Sequence, residues 1–284
     1  MPRGMTRLLL MEANTAERRA RARSLGIRWS SEIYEIAIKA HFPAIEIDVV
    51  NGADVDWMIP DGRSFADYDG FVVSGSALHA YDTDFAVTNQ IVLLRQAAEA
   101  GLPCFGSCWG LQIAAMAAGG RVEYHPRGKE VGFARKITPI GAGEGHAMFA
   151  HKGKVFDAPC IHYDEVTQLP ETAILLASNA HSRVQAAIIP LGASEVWAVQ
   201  YHPEYDLRQV SDIFTIYADD MIGPDFFVSR AELDAYCAKL RALAQNPQDA
   251  GAAWQLGIDG DVLDETRRRG EIISWIETQV LGKA

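Results

Sequence analysis

Residues 103–112 of the chain read PCFGSCWGLQ, and this stretch decides the fold prediction. The apolar run Leu102–Gly106 has the length of a buried strand, and an alanine-rich segment typical of a helix follows Gly110. Cys108 lies between two glycines in a Gly-x-Cys-x-Gly pattern, which is that of a nucleophile elbow with cysteine in place of serine. Such a turn is strained and crowded, so glycine is needed on both sides. We predict that Cys108 is a nucleophile at a helix N-terminus, where negative charge is favoured, although a buried structural cysteine is the common alternative.

The pattern on both sides of this stretch predicts an α/β fold. Up to Gly120, short apolar runs alternate with longer amphipathic ones, as in a parallel sheet covered by helices. The other predicted strands of this half are Arg7–Met11, Ile45–Val50 and Gly70–Ser74, and the predicted helices are Ser30–Ala40 and Ala86–Ala100. We therefore expect a mostly parallel central sheet flanked by helices.

The second half of the chain has a different pattern. Residues 121–200 carry short β-branched runs, such as Val184–Ile189 and Val196–Gln200, which predict mixed or antiparallel strands. From about residue 205 the spacing is helical, with predicted helices at Ala231–Ala244 and Asp264–Val280. We predict a catalytic domain over residues 1–206 and a C-terminal helical extension over residues 207–284 that packs on it.

Composition excludes several classes of function. The chain has 284 residues with 26 Lys+Arg against 37 Asp+Glu, a net charge of −11, which argues against non-specific nucleic-acid binding. No apolar run approaches the roughly 18 residues of a membrane span, and the N-terminal run is too short for a signal peptide. Four cysteines without a CxxC pair indicate neither a disulfide scaffold nor a zinc site. We expect a cytoplasmic protein without membrane contact, metal or cofactor.

A cysteine nucleophile needs a base, and the base usually needs an orienting carboxylate. His202 and Glu204 follow the predicted strand Val196–Gln200 in a His-Pro-Glu sequence. Two residues apart on an extended chain, both side chains point to the same side, so the carboxylate can hold the imidazole. Taken alone, this tripeptide is more typical of a surface turn; together with the elbow it predicts a Cys108–His202–Glu204 triad.

The developing negative oxygen of an acyl-transfer reaction needs backbone N–H donors. One candidate is the N–H of Trp109, directly after the nucleophile. The second is the turn after the strand at 70–74, where Gly75 or Ser76 allows a close approach of the backbone to a ligand. An ordinary β-turn is the alternative for this segment.

A basic run follows the first predicted strand. It consists of Arg18, Arg19, Arg21 and Arg23. A solvated helix face is the default interpretation of such a run, and attraction of an anionic substrate or partner is the alternative.

These residues, in this order, resemble the class I (triad-type) glutamine amidotransferase family over about residues 5–206. The most specific motifs are Cys108–Gln112 and the His-Pro-Glu at 202–204. The supporting segments are Gly119–Glu123, Arg127–Gly132, His162–Val166 and Val184–Ala186. Many synthetase-linked members have Ser-Gly-Gly-Pro where this chain has Ser74–Ala77, and the Ser-Gly-Ser form is more similar to stand-alone members, including γ-glutamyl peptidases. The resemblance is thus to a stand-alone member, similar to a GMP synthase glutaminase or a γ-glutamyl peptidase.

The resemblance implies a flavodoxin-like α/β fold and a defined chemistry. Cys108 would attack the γ-carbonyl of glutamine or another γ-glutamyl compound and form a thioester. His202, oriented by Glu204, would protonate the leaving amine and then activate water. Gln112 and the loop with Arg127 and Gly128 would bind the glutamyl group.

Three alternatives stay open. The first is a γ-glutamyl peptidase or hydrolase of a small conjugate in place of an amidotransferase subunit. The chain has no room for a synthetase domain, so an amidotransferase subunit would need a synthetase partner to accept its ammonia. A non-catalytic regulatory protein that keeps the fold is the second alternative, against which the intact triad weighs. A cysteine hydrolase for a different acyl group is the third.

Overall fold

The computed structural model describes residues 5–223 and 226–282, and a nine-stranded sheet forms its centre. The strands are β1 Arg7–Glu12, β2 Glu46–Asn51, β3 Gly70–Val73, β4 Cys104–Ser107, β5 Arg121–Tyr124, β6 Glu130–Pro139, β7 Phe156–His162, β8 Asp164–Gln168, β9 Ile174–Ser178, β10 Ala186–Leu191 and β11 Ser194–Val199. The strand order is β2-β1-β3-β4-β11-β10-β9-β6-β7. The pairs from β2 to β11 are parallel and those from β11 to β7 are antiparallel. The predicted α/β fold is confirmed, and the strands β5 and β8 form a small separate antiparallel sheet.

Helices cover both faces of the main sheet. The helices are α1 Ala16–Ser24, α2 Ser30–Lys39, α3 Phe85–Glu99, α4 Trp109–Ala117, α5 Leu207–Ile216, α6 Ala218–Met221, α7 Arg230–Gln245, α8 Ala250–Leu256, α9 Gly260–Leu263, α10 Glu265–Arg268 and α11 Gly270–Trp275, followed by a π-helical turn at Ile276–Val280. Short 3₁₀ segments lie at Pro60–Gly62, Phe65–Asp67, Gly141–Gly143 and Ala147–Phe149. Within the described residues, no helix has both the length and the apolar character that crossing a bilayer requires.

The alternation of side chains along β1 divides the core in two. Leu9 and Met11 point to the face covered by α3 and α4, while Leu8 and Leu10 point to the face covered by α2 and α11. All four side chains are fully buried, as expected for a central strand with helices on both faces. A third cluster of buried side chains joins α5, α7, α8 and α9.

Residues 264–280 do not form one continuous helix. The predicted helix Asp264–Val280 is divided into α10, α11 and the π-helical turn. Gly270 begins α11 where the chain passes close to His151, since a Cβ atom on Gly270 would lie 2.9 Å from the Cβ of His151. Helix α11 itself packs on the sheet, because its Trp275 is fully buried with its ring centroid 5.8 Å from that of Phe105. The domain boundary at residue 206 stays a prediction.

The parallel half of the sheet positions the site. Strands β3, β4 and β11 are neighbours and run in the same direction, so their carboxyl ends lie at one edge. The loop with Gly75, the residue Cys108 and the segment with His202 follow these three strands in turn. The carboxyl edge of a parallel sheet is where ligands bind in open α/β folds.

Candidate active site

The turn between β4 and α4 has the geometry that the glycine pattern predicts. Cys108 has φ +49° and ψ −95°, and it is one of two non-glycine residues with positive φ in the described part of the chain. Its N–H donates to the carbonyl oxygen of Val199 at 2.7 Å. A Cβ atom on Gly106 would lie 2.7 Å from the Cα of Gly110, and one on Gly110 would lie 3.3 Å from the carbonyl oxygen of Val73. The two glycines therefore let α4 start directly against the sheet while the strained turn presents the thiol.

The His-Pro-Glu segment places a histidine and a carboxylate together. His202 Nδ1 lies 2.7 Å from Glu204 Oε1, and both side chains are buried. The other ring nitrogen of His202, Nε2, is buried without a hydrogen-bond partner among the described residues. Cys108 lies close enough to this imidazole to act on its charge. The structure thus brings the three predicted residues into one cluster.

The charge of His202 is determined by opposing effects. Burial lowers the pKa of the imidazole, but the Glu204 carboxylate and the Cys108 sulfur outweigh it and raise the pKa to about 10. At neutral pH, His202 is therefore an imidazolium. It holds a proton beside the Cys108 sulfur.

Two hydroxyl groups extend this cluster, and sequence reasoning missed both. Ser107 Oγ donates to Glu204 Oε1 at 2.9 Å, and the hydroxyl of Tyr34 on α2 donates to Ser107 Oγ at 2.7 Å. Burial raises the pKa of the Tyr34 phenol well above its ordinary value, so Tyr34 stays a donor. The ring of Tyr205 stacks on His202 with centroids 4.1 Å apart. Ser107 directly precedes Cys108 in the sequence, but nothing in the sequence connects Tyr34 with it.

The loop after β3 faces the histidine. A Cβ atom on Gly75 would lie 2.7 Å from His202 Cε1, so a larger residue there would displace the imidazole. The Asn14 side chain holds this loop, since its Nδ2 donates to the Gly75 carbonyl at 3.2 Å and its Oδ1 accepts from Ala77 N–H at 3.3 Å. Among the described residues, the N–H groups of Gly75, Ser76 and Trp109 donate to no protein acceptor. They are available to a ligand oxygen.

A cavity of about 290 Å³ opens on Cys108. Gln112 lies in its wall and donates from Nε2 to the carbonyl of Asp164 at 3.2 Å. His79 lies beside it, with Nδ1 2.6 Å from Asp164 Oδ2. The cavity continues past Cys108 and His202 between α1 and the helices α5 and α6. Its volume is at the lower end of the range for small-molecule sites.

Arg127 and Gly128 lie outside this cavity. The guanidinium of Arg127 donates to the carbonyl oxygens of Ala180 and His181, beside a separate surface depression. Glu130, in the same loop, contacts the cavity wall. Its Oε2 lies 2.9 Å from Nε2 of His162, which lines the cavity. The structure does not bring Arg127 or Gly128 to Cys108, so we assign them no contact with substrate.

In the ranges 5–223 and 226–282, no group of three or more His, Cys, Asp or Glu side chains is arranged to hold a metal ion.

Comparisons with known proteins agree on one family. The model of class-I glutamine amidotransferases matches residues 44–214. A γ-glutamyl-L-1-hydroxyisopropylamide hydrolase of a Pseudomonas species is 34% identical over 203 residues, covering 70% of this chain and 67% of that protein. γ-Glutamyl peptidase 5 of Arabidopsis thaliana is 30% identical over 203 residues, covering 71% and 76%. The crystal structure of a glutamine amidotransferase from Thermotoga maritima shares the fold, with a TM-score of 0.61, 14% identity and coverage of 98% of this chain and 99% of that one.

Proposed function

The chain belongs to the class-I glutamine amidotransferases, and from this premise we propose that it hydrolyses a γ-glutamyl conjugate through a thioester on Cys108. The observation that carries this choice is the cavity, which continues beyond the cysteine between α1 and α5–α6. A glutaminase that supplies ammonia to a partner has no use for space on the leaving-group side. A hydrolase of a conjugate needs that space for the amine that departs.

The acylation step uses the geometry of the elbow. Cys108 reacts as a thiolate, with its proton held on Nε2 of His202; the sulfur attacks the γ-carbonyl carbon, and the carbonyl oxygen becomes an oxyanion. The N–H of Trp109 and that of Gly75 or Ser76 stabilise this charge, a contribution worth about 3–4 kcal/mol per donor in other enzymes. The tetrahedral intermediate then breaks its C–N bond, and the amine takes the proton from Nε2 of His202.

The deacylation step reverses the role of His202. The neutral imidazole takes a proton from a water molecule, whose oxygen attacks the thioester carbonyl. Cys108 leaves as the thiolate and the γ-glutamyl group departs as glutamate. Glu204 holds His202 in one orientation through Nδ1 during both steps.

The experiment compares amine release from a γ-glutamyl dipeptide with ammonia release from L-glutamine under identical conditions. Cys108→Ala provides the background. We expect kcat/KM for the dipeptide to exceed that for glutamine. Faster glutamine turnover would instead identify an amidotransferase subunit that needs a synthetase partner. Reaction with neither substrate above background would overturn the γ-glutamyl assignment.

The hydroxyl chain from Tyr34 gives a prediction on the positioning of Glu204. Ser107→Ala removes the donor to Glu204 Oε1 and leaves the Tyr34 hydroxyl buried without its acceptor. We expect kcat to fall about tenfold with little change in KM, and a loss of stability of about 1–3 kcal/mol.

The matched double variant distinguishes positioning from simple unfolding. If Tyr34 acts through Ser107, adding Tyr34→Phe to Ser107→Ala lowers kcat no further and restores part of the stability, because the unpaired hydroxyl is gone. Losses in kcat that multiply in the double variant would contradict this connection.

A further inference from the structure

We infer that the outer part of the cavity is a subsite for a carboxylate on the leaving amine, and that Arg18 binds it. This inference rests on the proposed hydrolysis and adds the class of substrate: γ-glutamyl amino acids or peptides whose leaving half carries a carboxylate. The subsite residues are Arg18 on α1, Tyr163 between β7 and β8, and Tyr217 after α5, all in the wall of the cavity.

Arg18 differs from its neighbour on α1 in its contacts. Its neighbour Arg19 is committed to structure, since it pairs with Asp54 at 2.6 Å and donates to the carbonyl of Asn14. The guanidinium of Arg18, in contrast, forms no ion pair or hydrogen bond within residues 5–223 and 226–282, although it lines the cavity. A guanidinium presents several N–H donors in a planar fork that matches a carboxylate.

The Tyr163 hydroxyl is independent evidence for a ligand at this place. It is buried and has no hydrogen-bond partner among the described residues. Buried phenol groups usually have a partner, so an unpaired one in a cavity wall indicates a ligand atom. Burial and the Asp220 carboxylate raise the pKa of the Tyr163 phenol and the Arg18 guanidinium lowers it, and all three residues line the same cavity. Together Arg18 and Tyr163 offer donors for the two oxygens of a carboxylate.

Tyr217 connects the subsite to the reaction centre. Burial raises the pKa of its phenol, the Arg18 guanidinium lowers it and the Cys108 sulfur raises it, and the three residues line one cavity. A group attached to the leaving nitrogen at His202 would therefore extend past Tyr217 towards Arg18. The leaving half of a γ-glutamyl amino acid has its carboxylate in this direction.

The charge around the subsite favours an anion. Arg21 and Arg28 line the same wall as Arg18, and of the two carboxylates opposite, Asp212 is paired with Arg241 at 3.5 Å. Asp220 is the other carboxylate, and it offsets one of the three arginines in this wall. The chain as a whole carries a net charge of −11, so this concentration of arginines is local. It attracts an anionic leaving group, and salt is expected to weaken this attraction.

The experiment uses two substrates that differ only in charge: γ-glutamylglycine and γ-glutamylglycinamide. We expect the parent enzyme to prefer the acid at least tenfold in kcat/KM. In Arg18→Gln the preference falls to about twofold, mainly through loss of activity on the acid, while activity on the amide changes less than threefold. Arg23→Gln is the matched control, because Arg23 lies on the same helix outside the cavity wall and pairs with Glu32. It is expected to keep the parent preference.

Different results would overturn the carboxylate subsite and the proposed hydrolysis. Equal cleavage of acid and amide by the parent enzyme, or an unchanged preference in Arg18→Gln, would overturn the carboxylate subsite while leaving γ-glutamyl hydrolysis intact. Cleavage of neither substrate would overturn the proposed function itself. Tyr163→Phe provides a second test, with an expected loss of the preference that is smaller than in Arg18→Gln.

Discussion

Replacement of Cys108 by serine is expected to lower kcat/KM for the γ-glutamyl substrate by about 10⁴-fold or more, as loss of a nucleophile does in hydrolytic triads. The sulfur is the atom that would carry the acyl group, and a serine hydroxyl at the same place is a much weaker nucleophile. The substitution is nearly isosteric, so the thermal midpoint is expected to stay within a few degrees of the parent value. Amine release and thermal unfolding are the two measurements.

Cys160 offers a matched control. It lies in β7, is buried, and burial raises the pKa of its thiol well above the ordinary value, so it has no nucleophilic character. Cys160→Ser is expected to keep activity within a few-fold of the parent. A Cys108→Ser enzyme that retained more than about one per cent of the parent activity would contradict the assigned role, given the losses seen for other nucleophiles.

Replacement of His202 by asparagine is the second large effect, with an expected loss of about 10²–10⁴-fold, the usual contribution of a positioned acid–base group. The reason is geometric, since Nε2 is the only proton source that the proposed acylation step uses. The variant also removes the partner of the buried Glu204 carboxylate, so stability is to be measured in parallel.

Glu204→Gln tests the electrostatic part of the same assignment. The pKa of His202 is raised to about 10, so its proton is present at neutral pH and is lost as the pH rises through about 10. The alkaline limb of kcat/KM is expected near that upper value in the parent enzyme. Without the carboxylate, burial lowers the pKa of His202, and the limb should move to lower pH. An unmoved limb would show that Glu204 does not control the charge of His202.

The elbow was predictable because it is a local feature. The strand, the glycines at 106 and 110 and the helix follow one another within about a dozen residues, and the steric reason for each glycine can be read from the pattern. The same holds for His202 and Glu204, which are two residues apart on one segment. The change from parallel to antiparallel pairing after β11 also agrees with the change in pattern after Gly120.

The rest of the site depends on contacts between distant parts of the chain. Tyr34 meets Ser107 across 73 residues, and the Cys108 Sγ lies 3.4 Å from the Ile161 carbonyl oxygen across 53 residues. No periodicity encodes such pairs. Arg127 shows the same dependence, because a loop can resemble a pocket segment and still turn its side chain towards the carbonyls of residues 180 and 181. The sequence likewise did not predict that α5 and α6 form part of the cavity wall.

The central claim is that Cys108 carries the γ-glutamyl group, and acid-quenched mass spectrometry tests it most directly. The enzyme is mixed with excess γ-glutamylglycine, quenched during turnover, digested with protease and mapped. We expect a mass increase of one γ-glutamyl group on the peptide that contains Cys108, and its absence in Cys108→Ser. Product formation with no adduct, or with the adduct on Cys104, Cys160 or Cys237, would contradict it.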